Sequence, residues 1–237
     1  MPAIGRVVAL YRYAVKSMGG EPLREAHVGE RGIPGDRGWA LRGKDGKAAS
    51  AKRFADLMLA SAVYETAPRE GEVPPAKITL PDGGELSTSD GDASSRLSDW
   101  LGEKFRLVPA EGMNFDDLPL HVLTTASLKT MERLAPGLGW DARRFRPNVV
   151  VEPIEGADAH EGFPELGWLG DLRIGKADIL VKKPCKRCVM TTHLQADLPK
   201  QPEILQALVD HADAAFGVYG AVMTPGRVAV GDLVERI

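Results

Sequence analysis

Cysteine is nearly missing from this chain: 237 residues carry two, Cys185 and Cys188. Two thiols cannot build a disulfide scaffold or the four-thiolate seat of an iron–sulfur cluster, and such sparing use points to a cytoplasmic address. Long apolar runs are missing as well; none approaches the roughly 18 residues of a membrane span. The N-terminal apolar stretch is broken by Arg6 and Arg12 and lacks the pattern of a cleavable export signal. Charge of one sign is not in excess: 30 Lys and Arg against 33 Asp and Glu leave a net −3. That argues against a nucleic-acid partner while leaving room for a local basic pocket. No Gly-x-Gly-x-x-Gly follows a strand pattern, so a flavin or nicotinamide dinucleotide site is not expected. Internal repeats and low-complexity tracts are also absent.

Turn formers are abundant. Gly and Pro together make 43 of 237 residues, which implies many turns, short strands and few long helices. Apolar and β-branched runs predict strands at 4–15, 25–28, 39–42, 57–64, 77–80, 148–151, 172–174, 177–181, 218–223 and 233–237. Helical spacing predicts three helices. The first, 92–101, has Leu97, Trp100 and Leu101 in phase and stops at Gly102. The second, 125–134, is capped by Thr124 or Thr125. The third, 202–216, opens at Pro202 and carries Ile204, Leu205, Leu208, Val209 and Ala212 as a stripe. The fold class expected is β-rich α+β: a β-barrel core with a few peripheral helices. The stretch 102–117 is the expected seam between two halves, 1–110 and 111–237.

The sharpest local feature is Lys182-Lys183-Pro184-Cys185-Lys186-Arg187-Cys188, two thiols among four cations. Positive charge favours the thiolate, which is both a soft metal ligand and a nucleophile. Three readings stand side by side. A zinc site needs four ligands, and only His193 offers a nearby third. A thioredoxin-like pair needs a strand-to-helix junction in a βαβ setting, whereas Thr191-Thr192 follows here. The plain alternative is two unreactive cysteines packed as small apolar residues. A second feature is dispersed: Lys16-Ser17 closes the first predicted strand, Gly35-Asp36-Arg37 sits in a Gly-rich loop, and Arg143-Arg144-Phe145-Arg146-Pro147-Asn148 precedes a strand. Forked guanidinium, point-charge ammonium and hydroxyl donors suit a phosphate, although any one of them alone reads as solvated surface.

Five blocks in this order carry a resemblance: Val15-Lys16-Ser17, Gly35-Asp36-Arg37-Gly38-Trp39, Arg144-Phe145-Arg146-Pro147-Asn148, Cys185-Lys186-Arg187-Cys188-Val189-Met190-Thr191-Thr192, and Pro225-Gly226-Arg227-Val228-Ala229-Val230-Gly231-Asp232. Together they resemble the MOSC domain family, from about residue 4 to the C-terminus. The resemblance implies that 1–110 is the family's N-terminal β-barrel region and 111–237 the MOSC domain. In the amidoxime-reducing members the second cysteine of the pair ligates molybdenum, which implies Cys188 as metal ligand and catalytic centre. It further implies Lys16, Ser17, Arg37, Arg146 and Asn148 on the molybdopterin cofactor, Arg187 beside it, and Thr124 as a contacting hydroxyl.

The activity implied is reduction of a small N-hydroxylated or N-oxide compound by oxygen-atom transfer. Two electrons then return from an external donor, a flavin- or iron–sulfur-containing reductase. The alternative is a carrier of the molybdenum cofactor, or of sulfur as a Cys188 persulfide. The reductases follow Thr-Thr with Val-Asp-Pro. Here the segment is His193-Leu194-Gln195-Ala196-Asp197-Leu198-Pro199, expected to border the substrate.

Overall fold

The computed structural model describes residues 2–110, 115, 117–154, 156 and 162–237. The strands are β1 (Ala3–Arg12), β2 (Glu21–Leu23), β3 (Glu25–Val28), β4 (Trp39–Arg42), β5 (Ser61–Tyr64), β6 (Ala76–Thr79), β7 (Glu85–Ser87), β8 (Arg106–Pro109), β9 (Leu120–Thr124), β10 (Val149–Pro153), β11 (Gly170–Ile174), β12 (Ala177–Lys186), β13 (Ala215–Thr224), β14 (Gly226–Ala229) and β15 (Leu233–Arg236). The helices are α1 (Ala93–Leu101), α2 (Thr125–Leu134), α3 (Ala142–Phe145) and α4 (Glu203–Ala212).

Seven strands close a barrel in the order β10-β9-β13-β12-β11-β15-β1, and β1 returns to pair with β10. Every neighbour in it is antiparallel except β9 and β10, whose chain passes through α2 and α3 between them. A parallel pair needs such a crossover. The pleat sorts the side chains. Leu120 and Val122 of β9 and Val149 and Val151 of β10 fill the barrel, while Leu123 faces outward onto Met131, Ile204 and Phe216 under α2 and α4. A third core lies outside the barrel, where Val15, Met18, Leu41, Leu57, Ile78 and Leu97 join the small sheets β4-β8 and β5-β6-β7 to α1. The first strand of the chain thus belongs to a sheet drawn otherwise from the second half, apart from its short partner β2.

The barrel expectation holds, and several element boundaries move. Residues 57–64 do not form one strand: 3-10 helix covers Ala55–Leu59 before β5 begins. Leu57 and Met58 are both buried, which a strand's alternation does not permit on a one-sided sheet. The helix expected over 202–216 ends at Ala212, because Asp213 and Ala214 turn left-handed (φ 49° and 54°) and Ala215 already belongs to β13. Its buried stripe is Ile204, Ala207 and Leu208, with Val209 facing solvent. β12 runs five residues beyond the expected 181 and takes Cys185 into the sheet. β2, β7, β8, β9, β14 and α3 have no counterpart among the expected elements. Part of the expected seam, 111–114 and 116, lies outside the described residues.

Candidate functional site

At one end of the barrel, where it meets both outer cores, lies a cleft of about 270 Å³. Lys16, Ser17, Arg37, Arg146, Asn148, Arg187 and Cys188 all line it, although they come from four separate stretches of sequence. Three of these adopt left-handed backbone conformations: Ser17 (φ 69°), Arg37 (φ 51°) and Arg146 (φ 55°). Among the described residues only six non-glycine residues do so, and half of them converge here. Such conformations cost on the order of 1–2 kcal/mol each and persist where packing over-determines them.

The packing in question is Tyr13. Its ring carries the Arg146 guanidinium at 4.2 Å and that of Arg37 at 4.7 Å. The phenol is buried and donates to the Pro147 carbonyl at 3.1 Å; burial holds its pKa well above the ordinary value. Beside it the Asp36 carboxylate, 2% exposed, accepts from the Tyr13 N–H at 2.9 Å and from Asn148 Nδ2 at 3.1 Å, and pairs with Arg37. Asn148 in turn accepts from the His121 N–H at 3.1 Å. Its amide is therefore engaged with its neighbours, tying β9 and the start of β10 to Asp36.

The cysteine turn follows from its own residues. Cys188 is half-buried and precedes 3-10 helix at Val189–Thr192. Thr191 and Thr192 send their hydroxyls back to the carbonyls of Cys188 and Val189, at 3.0 and 2.8 Å. That is the local reason for two threonines after the pair: they close the turn that presents Cys188 to the cleft. Cys185 faces away, fully buried. Burial pushes its thiol up, but the Arg187 charge, His121 and the Tyr219 hydroxyl more than offset this and bring it down to about 6. Gly217 makes room for that corner. Its φ is 82°, and a Cβ there would lie 2.2 Å from His121 Nε2.

The cleft is strongly cationic. Eight Lys and Arg line it, and Asp117 is the sole carboxylate lining it among the described residues. Lys183 pairs with Asp117 at 2.6 Å, and Lys186 with Asp213 at 2.6 Å. Arg144 is buried to 1% and gives its guanidinium to the carbonyls of Thr191, His193 and Pro199. Its Nε has no hydrogen-bond partner among the described residues, and burial lowers its pKa from the usual arginine value. Among the described residues no group of three or more His, Cys, Asp or Glu comes together as a metal cage; the soft sulfurs lining the cleft are the Cys188 thiol and the Met190 thioether.

Thr124 is not part of this cleft. It caps α2, with Oγ1 accepting from the Ser127 N–H at 3.2 Å, and it donates to the buried Glu165 carboxylate at 2.5 Å. Gln195–Leu198 line a neighbouring pocket of about 390 Å³ with Tyr11, Tyr13 and Met58, and Arg146 forms the wall shared with the cleft. Sequence reasoning missed Lys52, Arg144, His121 and Tyr219 in the cleft wall. Arg144 was visible as one cation in a cluster. His121 and Tyr219 carried no signal, because they meet only through the pairing of β9 with β13.

Comparison with known proteins places two family models on the chain: the MOSC N-terminal beta barrel domain over residues 4–99 and the MOSC domain over 109–235. The chain is 29% identical to human mitochondrial amidoxime reducing component 2, covering 99% of this chain and 84% of that protein. It is 24% identical to human mitochondrial amidoxime-reducing component 1, covering 98% and 82%. The solved structure of the YUAD protein from Bacillus subtilis shares the fold, with a TM-score of 0.52 at 18% identity over 97% of this chain and 93% of that one.

Proposed function

The chain belongs to the MOSC family, and from that premise we propose that it is a molybdenum-cofactor oxidoreductase that reduces small N-hydroxylated or N-oxide compounds by oxygen-atom transfer. One observation carries the reading: a half-buried thiol shares a cleft with guanidinium groups held by strained, left-handed backbones. The donor set fits the cofactor. A molybdopterin couples an anionic phosphate and a polar pterin to a soft-ligated metal, and the cleft couples cationic forks to one soft thiol. The unpartnered Nε of buried Arg144 is a further unmet donor in that wall.

Lys16, Arg37 and Arg146 would hold the phosphate and pterin, and the Cys188 sulfur the metal. The Ser17 hydroxyl accepts from the Ala51 N–H at 3.1 Å, which leaves its own proton to donate. Bound there, the cofactor supplies the two-electron exchange in which oxygen leaves the substrate nitrogen. The chain's own part is orientation and exclusion of water. Tyr13 aligns two arginines, Asp36 pairs with Arg37 and is itself held by Asn148, and Phe145 and Met190 add apolar lining. Re-reduction comes from an external flavin- or iron–sulfur-containing reductase.

The test is molybdenum and pterin analysis of protein made in a molybdate-fed host, followed by benzamidoxime reduction. Stoichiometric molybdenum is expected, with turnover driven by a reduced viologen dye and none by NADH alone. Cys188→Ser should abolish turnover. Arg146→Gln should lower retained cofactor tenfold or more with the fold kept, since a charged hydrogen bond is worth ~1.5–3 kcal/mol. Stoichiometric zinc in place of molybdenum defeats the proposal. Full molybdenum loading without turnover, even with the dye, selects the carrier.

A further inference from the structure

The cysteine pair leaves one thiol outside the cleft. Cys185 ends β12, is inaccessible to solvent, and lies behind the wall that Arg187, His121 and Tyr219 present to the cleft. Arg187 Nη1 donates to its Sγ at 2.7 Å. From β9 and β13, the cross-strand partners His121 and Tyr219 act on the same sulfur, both favouring its charged form. A neutral thiol is a weak acceptor with a proton of its own to place; a guanidinium N–H directed at the sulfur from 2.7 Å suits an anion.

The guanidinium tells the same story from its other side. Arg187 Nη2 donates to the Phe145 carbonyl at 2.7 Å, its Cζ lies 5.7 Å from the centre of the Phe145 ring, and its Nε has no partner among the described residues. Among the described residues no carboxylate forms a salt bridge with it, and the sulfur is what its Nη1 meets. A cation buried without a counter-ion is costly, and a paired one much less so.

We infer that Cys185 is a resident thiolate that takes up the charge of Arg187 and withdraws that guanidinium from the anion cradle of the cleft. The inference rests on the cradle reading given above. It separates the two cysteines chemically: one sulfur is ionised, sealed and committed to an arginine, and the other is open to the cleft. It also gives Arg187 a partner behind the cleft wall, from which it braces the turn between the thiols. The lowered pKa of Cys185 agrees with this arrangement.

The experiment uses the full chain without cofactor and has two arms. In the first, Cys188→Ser leaves Cys185 as the single thiol, and the ultraviolet absorbance of its thiolate is followed against pH. The band should persist at neutral pH and half-titrate near 6. Adding Arg187→Gln should move the titration up toward the ordinary thiol range. In the second arm, orthophosphate binding is measured by calorimetry. Arg146→Gln, the cradle control, weakens it. Cys185→Ser should tighten it by about 3–10-fold, because a released guanidinium joins the cradle. Cys185→Ser with Arg187→Gln should return it to the native value, and Cys185→Ala serves if the serine variant does not fold. A thiol still protonated at neutral pH overturns the inference, as does phosphate affinity that is unchanged or weaker in Cys185→Ser. If Arg146→Gln leaves phosphate affinity unchanged, the cradle reading falls, and the thiolate arm alone decides the ion pair.

Discussion

At the scale of single residues the cleft is organised from behind. Asp36 touches Tyr13, Arg37 and Asn148 at once, while itself almost without exposure. Its two oxygens thereby set the position of two side chains that the family resemblance assigns to the cofactor and of the ring on which two arginines lie. Asp36→Asn keeps the shape but turns an acceptor into a donor facing Arg37 and Asn148. Breaking a buried pair in this way costs about 3–5 kcal/mol. The expected outcome is a matching loss in denaturant stability, together with a fall in retained cofactor greater than that caused by a surface substitution such as Lys77→Gln. A stability within a few tenths of a kcal/mol of the native chain contradicts the role assigned to Asp36. Asn148 lines the cleft and also braces it. Its motif placed it at the cofactor, and its amide works one step further back, on Asp36 and on the backbone of β9.

Among the elements, α2 is fastened by an unusual join. Glu165, in 3-10 helix at Pro164–Gly167, is fully buried and bonded to the hydroxyls of Thr124 and Ser127 at the first turn of α2. Desolvation raises its pKa, and the two hydroxyls only partly offset this. A carboxyl whose folded pKa is raised adds stability below its unfolded pKa, roughly 4.3, and that stability is lost as pH rises through the folded pKa. Unfolding measured from pH 4 upward should therefore show the native chain losing stability relative to Glu165→Gln, which stays neutral throughout. A constant difference between the two across that range counts against the assignment. Thr124 was legible as a helix cap, because a hydroxyl before an apolar period is a local signal. Its buried carboxylate partner, 41 residues away, left no such trace. The same contrast runs through the molecule. β3, β4 and α2 fall where their local patterns put them, since turn residues bound each one. β9 was missed because all five of its residues are buried, so it has no alternation to read, and α4 was drawn too long because Asp213 and Ala214 carry no glycine to announce a left-handed stop.

For the molecule as a whole the decisive join is β1. It pairs with β10 along one edge and β15 along the other, so residues 3–12 complete a barrel whose remaining strands begin at residue 120. A fragment 111–237 produced alone should expose both of those strand edges and aggregate. Co-expression with 1–110 should recover soluble complex, measured by size exclusion; a soluble, cooperatively unfolding fragment 111–237 contradicts this. The parallel pair β9 and β10 and the cleft beside it depend on the same closure. This connectivity also sets an order of events on the ribosome. β1 must wait for its partner β15, and at ~5–20 residues per second the stretch between them takes tens of seconds to synthesise. Through that interval the outer core around Leu57, Ile78 and Leu97 lacks only Met190 and Cys188 of the second half, and Val7 and Leu10 meet β10 and β2 before Ala3–Arg6 can meet β15. Barrel closure is thus the last pairing that synthesis permits, and until then one apolar edge of β1 stays open.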